Sequence, residues 1–217
     1  KSIIWQAYQR IEAGQEPPLI GNIRTFWYRF VKPVLAKIHD DQGMKTDPYE
    51  IMLRAFNDLI MGRKLFRYAD FDFTDEGWDQ RRLGETRPEI LVFAEKRGWS
   101  RLLRRWNERW GVTILALGGF PSALTSEYTA TALLPLVGEK TVRLIGIVDF
   151  NPSGGLIASS FRGQLEAAGL KTSEPELLIE PKHYTEAELT MFAYPLPQSQ
   201  QTRLANWLEA TGGIKGE

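Results

Sequence analysis

The sequence predicts a mixed α/β chain in two parts, and three observations predict it. The first part, to about Arg87, is patterned mostly for helices. From Ile90 onward, short apolar runs of strand length alternate with helical stretches. Between them the composition shifts at Gly84-Glu85-Thr86-Arg87-Pro88, which reads as a linker. With 217 residues, 43% of them hydrophobic, the chain can bury one large core or two small ones.

The first part, residues 1–84, opens with helical spacing of apolar residues over 3–13. A second helix is expected over 22–38, with Asn22 as N-cap and apolar residues at Phe26, Trp27, Phe30, Val31 and Leu35. Pro33 falls inside that pattern and predicts a break or kink. Asp47-Pro48 caps a third helix over 49–61, with Gly62 as its C′ residue. Residues 64–68 and 71–74 alternate as two short strands should, which predicts a small β-hairpin. Helices followed by a hairpin make a winged-helix outline.

In the second part, residues 88–217, strands are expected over 90–93, 112–117 and 142–148. Helices are expected over 99–110, 123–134 and 157–168, with Pro135 just past the end of the middle one. Near-continuous apolar strands alternating with helices imply a parallel sheet covered on both faces. In such sheets function concentrates beyond the carboxyl ends of the strands.

Composition removes several chemistries. The absence of cysteine excludes disulfides, zinc–thiolate sites and cysteine nucleophiles, and favours an intracellular, cytoplasmic or nucleoid-associated protein. No apolar run approaches the roughly 20 residues that span a bilayer. The first residues, Lys1-Ser2-Ile3-Ile4-Trp5-Gln6, have no secretory pattern, and both ends read as trimmed. Lys plus Arg and Asp plus Glu each number 27, and the lack of a basic surplus argues against nucleic acid as a partner. Locally the balance reverses: Lys96, Arg97, Arg101, Arg104, Arg105 and Arg109 face one acid, Glu108. That run reads either as a phosphate track, with Lys96 and Arg97 foremost, or as the solvated side of a helix packed by Trp99, Leu102, Leu103 and Trp106. His39 and His183 lie far apart and read as surface residues. No glycine pattern matches a P-loop or a dinucleotide fingerprint.

Two strands end in acids. The first leads to Glu95; the third leads to Asp149, then Asn151 and Pro152-Ser153-Gly154-Gly155. Oxygen ligands converging from separate strands suit Mg²⁺, which takes few carboxylates, keeps waters and bridges to phosphate. The plain alternative makes Glu95 a solvated strand-end acid and Asp149 a helix cap.

Phe93-Ala94-Glu95-Lys96, the loop Gly118-Gly119-Phe120-Pro121, and Val148-Asp149-Phe150-Asn151-Pro152-Ser153-Gly154 together resemble the Toprim domain. The version they resemble is that of the topoisomerase VI A subunit and the related meiotic break-forming proteins. The resemblance covers the chain from about Arg87 to its end. It implies Mg²⁺ on Glu95 and Asp149, with Asn151 standing where the family loop carries a second acid. It also implies a nucleophilic tyrosine in the first part. Arg24-Thr25-Phe26-Trp27-Tyr28 is similar to the family pattern, with Tyr28 as the catalytic tyrosine and Arg24 as its companion. The other reading of Tyr28 is core packing, since Phe26, Trp27, Tyr28 and Phe30 form an aromatic-rich helix segment. Tyr8, Tyr49, Tyr68, Tyr128, Tyr184 and Tyr194 lack that context.

The resemblance thus implies a compact DNA-cleaving subunit of the type IIB topoisomerase kind, acting on double-stranded DNA as a homodimer. A separate ATPase subunit is implied as well, because no nucleotide-binding motif is present. Two other functions stay open: a Toprim nuclease using metal-activated water, and a non-catalytic DNA-binding subunit.

Overall fold

The structure is a computed structural model that describes residues 1–16, 21–35 and 47–192. His39, Tyr194, the end of the expected second helix and the C-terminal residues lie outside the described residues. The chain is mixed α/β and divides into two compact units, Lys1–Glu76 with Ala123–Tyr128, and Gly77–Ser122 with Thr129–Glu217.

In the first unit, α1 (Ser2–Glu12) places Ile4 and Ala7 in the core. Helix α2 (Ile23–Phe26) is capped as expected: Asn22 Oδ1 accepts from the N–H groups of Arg24 and Thr25 at 3.1 and 3.3 Å. Pro33, where a break or kink is expected, lies within the helix, which is described as far as Leu35. The helix runs on through a π-helical turn, Trp27–Val31, in which Lys32 N–H reaches back to Trp27 O. A proline leaves a carbonyl one turn earlier without its helical donor, and the widened turn lies over that carbonyl. Helix α3 (Pro48–Asn57) is capped by Asp47 and also ends in a π turn, Asp58–Gly62. The left-handed residue after it is Lys64, at φ 52°, and not the expected Gly62. Leu65 N–H closes the end on Leu59 O.

The expected β-hairpin is also corrected. Residues Tyr68–Phe71 form a 3₁₀ turn, and Asp72 sits at φ 56°. The backbone donors that a hairpin ladder needs are already engaged. Glu127 accepts from Tyr68 and Ala69 N–H, each at 3.1 Å, and Asp70 accepts from Arg67 N–H at 2.7 Å. Phe66, Tyr68, Phe71 and Phe73 are nonetheless all buried. They join Phe26 and Phe56 in a cluster whose rings meet mainly edge-to-face, with Phe26–Phe56 at 5.0 Å and Phe56–Phe71 at 5.4 Å between centroids.

The second unit is built on a five-stranded sheet in the order β1 (Arg81–Arg82), β3 (Val112–Ala116), β2 (Arg87–Ala94), β4 (Arg143–Ile147) and β5 (Glu176–Leu177). All neighbours are parallel except β1, which runs antiparallel to β3. The sheet is therefore mixed, where a purely parallel one was expected. The stretch read as a linker is built into it: Gly84 N–H donates to Thr113 Oγ1 at 3.0 Å, and Arg87 opens β2.

Alternate residues of each strand go to opposite faces. Val92, Ala94, Ile114 and Ala116 pack with Leu103 and Trp106 of α4 (Ser100–Trp110). Leu91, Phe93 and Leu115 pack with Leu133 of α5 (Ala123–Val137) and Phe161 of α6 (Pro152–Ala167). Pro135 lies inside α5, in its last turn, and does not stop it. Helix α7 (Glu186–Phe192) follows β5. No described helix is long and apolar enough to cross a membrane.

Candidate functional site

Strand order locates the site. From β2 the chain passes through α4 to β3 on one side, then crosses back through α5 to β4 on the other side of β2. The two connections cover opposite faces of the sheet. The reversal therefore lies between β2 and β4, and in open α/β sheets the carboxyl ends at such a reversal frame a crevice. Glu95 follows β2 and Asp149 follows β4 by two residues.

The local backbone holds these two acids together. Glu95 N–H extends the ladder to Ile147 O at 2.9 Å, and Glu95 Oε2 accepts from Asp149 N–H at 3.3 Å. Asn151 N–H turns back onto Asp149 O at 2.8 Å, which takes the chain out of extended geometry. Helix α6 starts at once. A Cβ on Gly154 would stand 2.0 Å from Asp149 O, so only glycine lets the helix start approach this loop so closely.

Asn151, expected as a third oxygen ligand, has a different task. It is the N-cap of α6, 7% exposed, with Oδ1 accepting from Ser153 N–H at 3.0 Å and Gly154 N–H at 2.9 Å. An amide oxygen has two lone pairs, and both are engaged. In this arrangement Asn151 fixes the loop at the start of α6. Asn151→Ala should lower stability by about 1 kcal/mol and Asn151→Asp should leave it nearly unchanged, because Asp caps equally well. Urea unfolding of the two variants checks this.

Lys96, expected against DNA phosphate, holds the Asp149 carboxylate: Nζ lies 2.9 Å from Oδ1 and 2.6 Å from Oδ2. The pair is partly exposed. An ion pair of that exposure contributes at most about 1 kcal/mol, so a competing divalent cation could displace the ammonium at little cost. Arg97 lies across the loop after β3, where a Cβ on Gly118 would meet its Nε at 2.6 Å. Lys96 and Arg97 thus share the edge that carries both acids.

Two carboxylates and a displaceable ammonium fit Mg²⁺, which is held by one or two carboxylates with waters and phosphate oxygens completing the octahedron. They do not make a closed all-protein cage. Among the described residues no three acids or histidines gather. His183 is exposed, with Nδ1 3.0 Å from Leu178 O.

Tyr28 lies in the π turn of the first unit and is 58% exposed, so core packing does not account for it. Trp27 is buried and Phe30 is partly so, as expected. Arg24, expected beside Tyr28, has its guanidinium carbon 5.5 Å from the centre of the Tyr49 ring. Burial raises the Tyr49 phenol above its ordinary range, and the Arg24 charge and hydrogen bond partly offset that. The cation at Tyr28 is Lys32, whose Nζ lies 4.9 Å from the ring centre. Its i+4 spacing was the available signal. Two other described tyrosines are engaged through their hydroxyls: Tyr68 donates to Asn57 Oδ1 at 2.7 Å and Tyr128 to Phe73 O at 2.6 Å. Neither a family model, a curated protein nor a solved structure matches this chain.

Proposed function

We propose that the chain cleaves DNA by Mg²⁺-dependent tyrosine transesterification, in the manner of a compact type IIB topoisomerase A subunit. The observation that carries this reading is the meeting of Glu95 and Asp149 at the sheet reversal. The Tyr28 oxygen attacks a backbone phosphorus, the phosphotyrosyl ester forms, and the sugar oxygen leaves and takes up a proton. The phenol loses its own proton to solvent or a base. The bond energy is retained in the ester, so the step is reversible. Bound Mg²⁺ would supply positive charge to the phosphate oxygens. Glu95 and Asp149 would hold it, and Lys96, once released from Asp149, would turn to the phosphate.

Exposure of Tyr28 supports the attacking role, since a nucleophile must reach its substrate. The likeness to a winged helix rests on the helices alone, without the hairpin. A homodimer would let Tyr28 of one copy serve the acids of another, and a separate ATPase subunit would supply energy for strand passage.

A second reading is a nuclease using water in place of Tyr28, and the engagement of Arg24 with Tyr49 favours it. Incubation with Mg²⁺ and end-labelled duplex DNA, stopped in detergent, separates the two. A covalent protein–DNA adduct that vanishes in Tyr28→Phe is the expected result. Free ends without an adduct, or an adduct that persists in Tyr28→Phe, would overturn the tyrosine mechanism.

A further inference from the structure

Helix α4 presents Arg101, Arg104, Arg105 and Arg109 to solvent, and Glu108 is its only acid. At 100° per residue these positions share one side of the helix. The opposite side is used up by the sheet, with Leu103 fully buried and Trp106 partly so. Beside the first turns of α4 sits the 3₁₀ turn Trp78–Gln80. It is fastened there by Ser100 Oγ–H donating to Gln80 Oε1 at 2.6 Å and by Arg104 Nη2 donating to Asp79 O at 3.3 Å. The Asp79 carboxylate is occupied by Gln80 Nε2 at 2.8 Å. Two indoles flank this junction, Trp78 at 64% exposure and Trp99 at 39%.

From this we propose that the outer face of α4, together with the Trp78–Gln80 turn, binds single-stranded nucleic acid. The arginines take phosphates, and Trp78 and Trp99 stack on unpaired bases. The proposal extends the nucleic-acid reading above, but it involves neither Mg²⁺ nor Tyr28. Charge complementarity favours a polyanion. The indoles favour an unpaired strand, because a duplex keeps its base faces inside the stack, where an indole cannot reach them. An anionic membrane fits less well, because an interfacial helix needs an apolar face to bury and α4 has already spent its own.

The test is fluorescence anisotropy in EDTA with labelled oligothymidylate and a hairpin duplex of equal phosphate number. The oligothymidylate should bind more tightly. Trp78→Ala should weaken it about 5- to 150-fold, the scale of one lost base stack, while Trp78→Phe keeps most of the affinity. Arg101→Gln with Arg105→Gln should flatten the slope of log affinity against log salt by about 1.4. Glu95→Ala should bind the oligonucleotide normally, which separates this surface from the metal-site reading. Equal binding of duplex and oligonucleotide, unchanged affinity in Trp78→Ala, or preferential binding to phosphatidylserine vesicles would each overturn the proposal.

Discussion

Glu95→Gln is expected to reduce Mg²⁺-dependent DNA cleavage on the order of a hundred- to a thousandfold, the scale of losing one preorganised electrostatic group. Gln keeps an oxygen that can accept the Asp149 N–H, so the loop geometry should survive. What disappears is one of the two negative charges that would hold the cation. Asp149→Asn should give a loss of similar size. The double variant should lose little more than either alone, because groups that act as a unit do not add. Turnover of labelled DNA measured beside the melting temperature checks this. Full activity in Glu95→Gln, with folding unchanged, would show that the carboxylate serves structure only.

The second large effect concerns stability. Glu127 is 5% exposed, and each carboxylate oxygen accepts one backbone N–H from the Tyr68–Phe71 turn. Glu127→Ala leaves one buried donor, Tyr68 N–H, and one partly buried donor, Ala69 N–H, without their acceptor. At about 1–3 kcal/mol for a fully buried group and less for the other, a loss of about 2 kcal/mol is expected in urea unfolding. Glu127→Gln should recover only part of it, because the amide NH₂ meets one of those donors with another donor. The pH dependence follows from the direction of the shift. Burial raises the Glu127 carboxyl above its ordinary value of 4.5, and outweighs the opposing hydrogen bonds from Tyr68 and Ala69. The folded state therefore binds the proton more tightly than the unfolded chain does. The contribution is fully present below about pH 4.5 and declines as pH rises through the raised value. Stability of the wild type relative to Glu127→Gln should fall across that window and then level off.

Most of the second unit was legible because its strands are near-continuous apolar runs, and burial on both faces leaves that mark on sequence. Strand β1 was not legible. Two arginines at a sheet edge have no strand signature, and edges are commonly charged. The hairpin was misread for a related reason. Phe66 with Tyr68, and Phe71 with Phe73, alternate as strands would, but the N–H groups of Arg67, Tyr68 and Ala69 are claimed by Asp70 and by Glu127, far along the chain. Alternation reports which side chains are buried, not where the N–H groups go.

The candidate site divides in the same way. That Glu95 and Asp149 end strands could be read directly; that the strands are neighbours depends on the order of the sheet, which no local pattern states. The helix cap was read at Asp149 and lies two residues later at Asn151, because a cap is chosen by the N–H groups of residues two and three places on. Arg24 could have gone to Tyr28 or Tyr49, and only packing decides between aromatic neighbours on different helices.

The division of the chain has a consequence for synthesis. Helix α5 lends Ala123, Leu124 and Glu127 to the first unit, although they are encoded well after the rest of it. A nascent chain that has emerged only to Glu76 lacks the two side chains that close its aromatic core and the carboxylate that caps its 3₁₀ turn. At ribosomal rates of about 5–20 residues per second, the first unit waits several seconds for its last pieces. Over that interval its phenylalanines lack the cover that Ala123 and Leu124 supply in the folded unit.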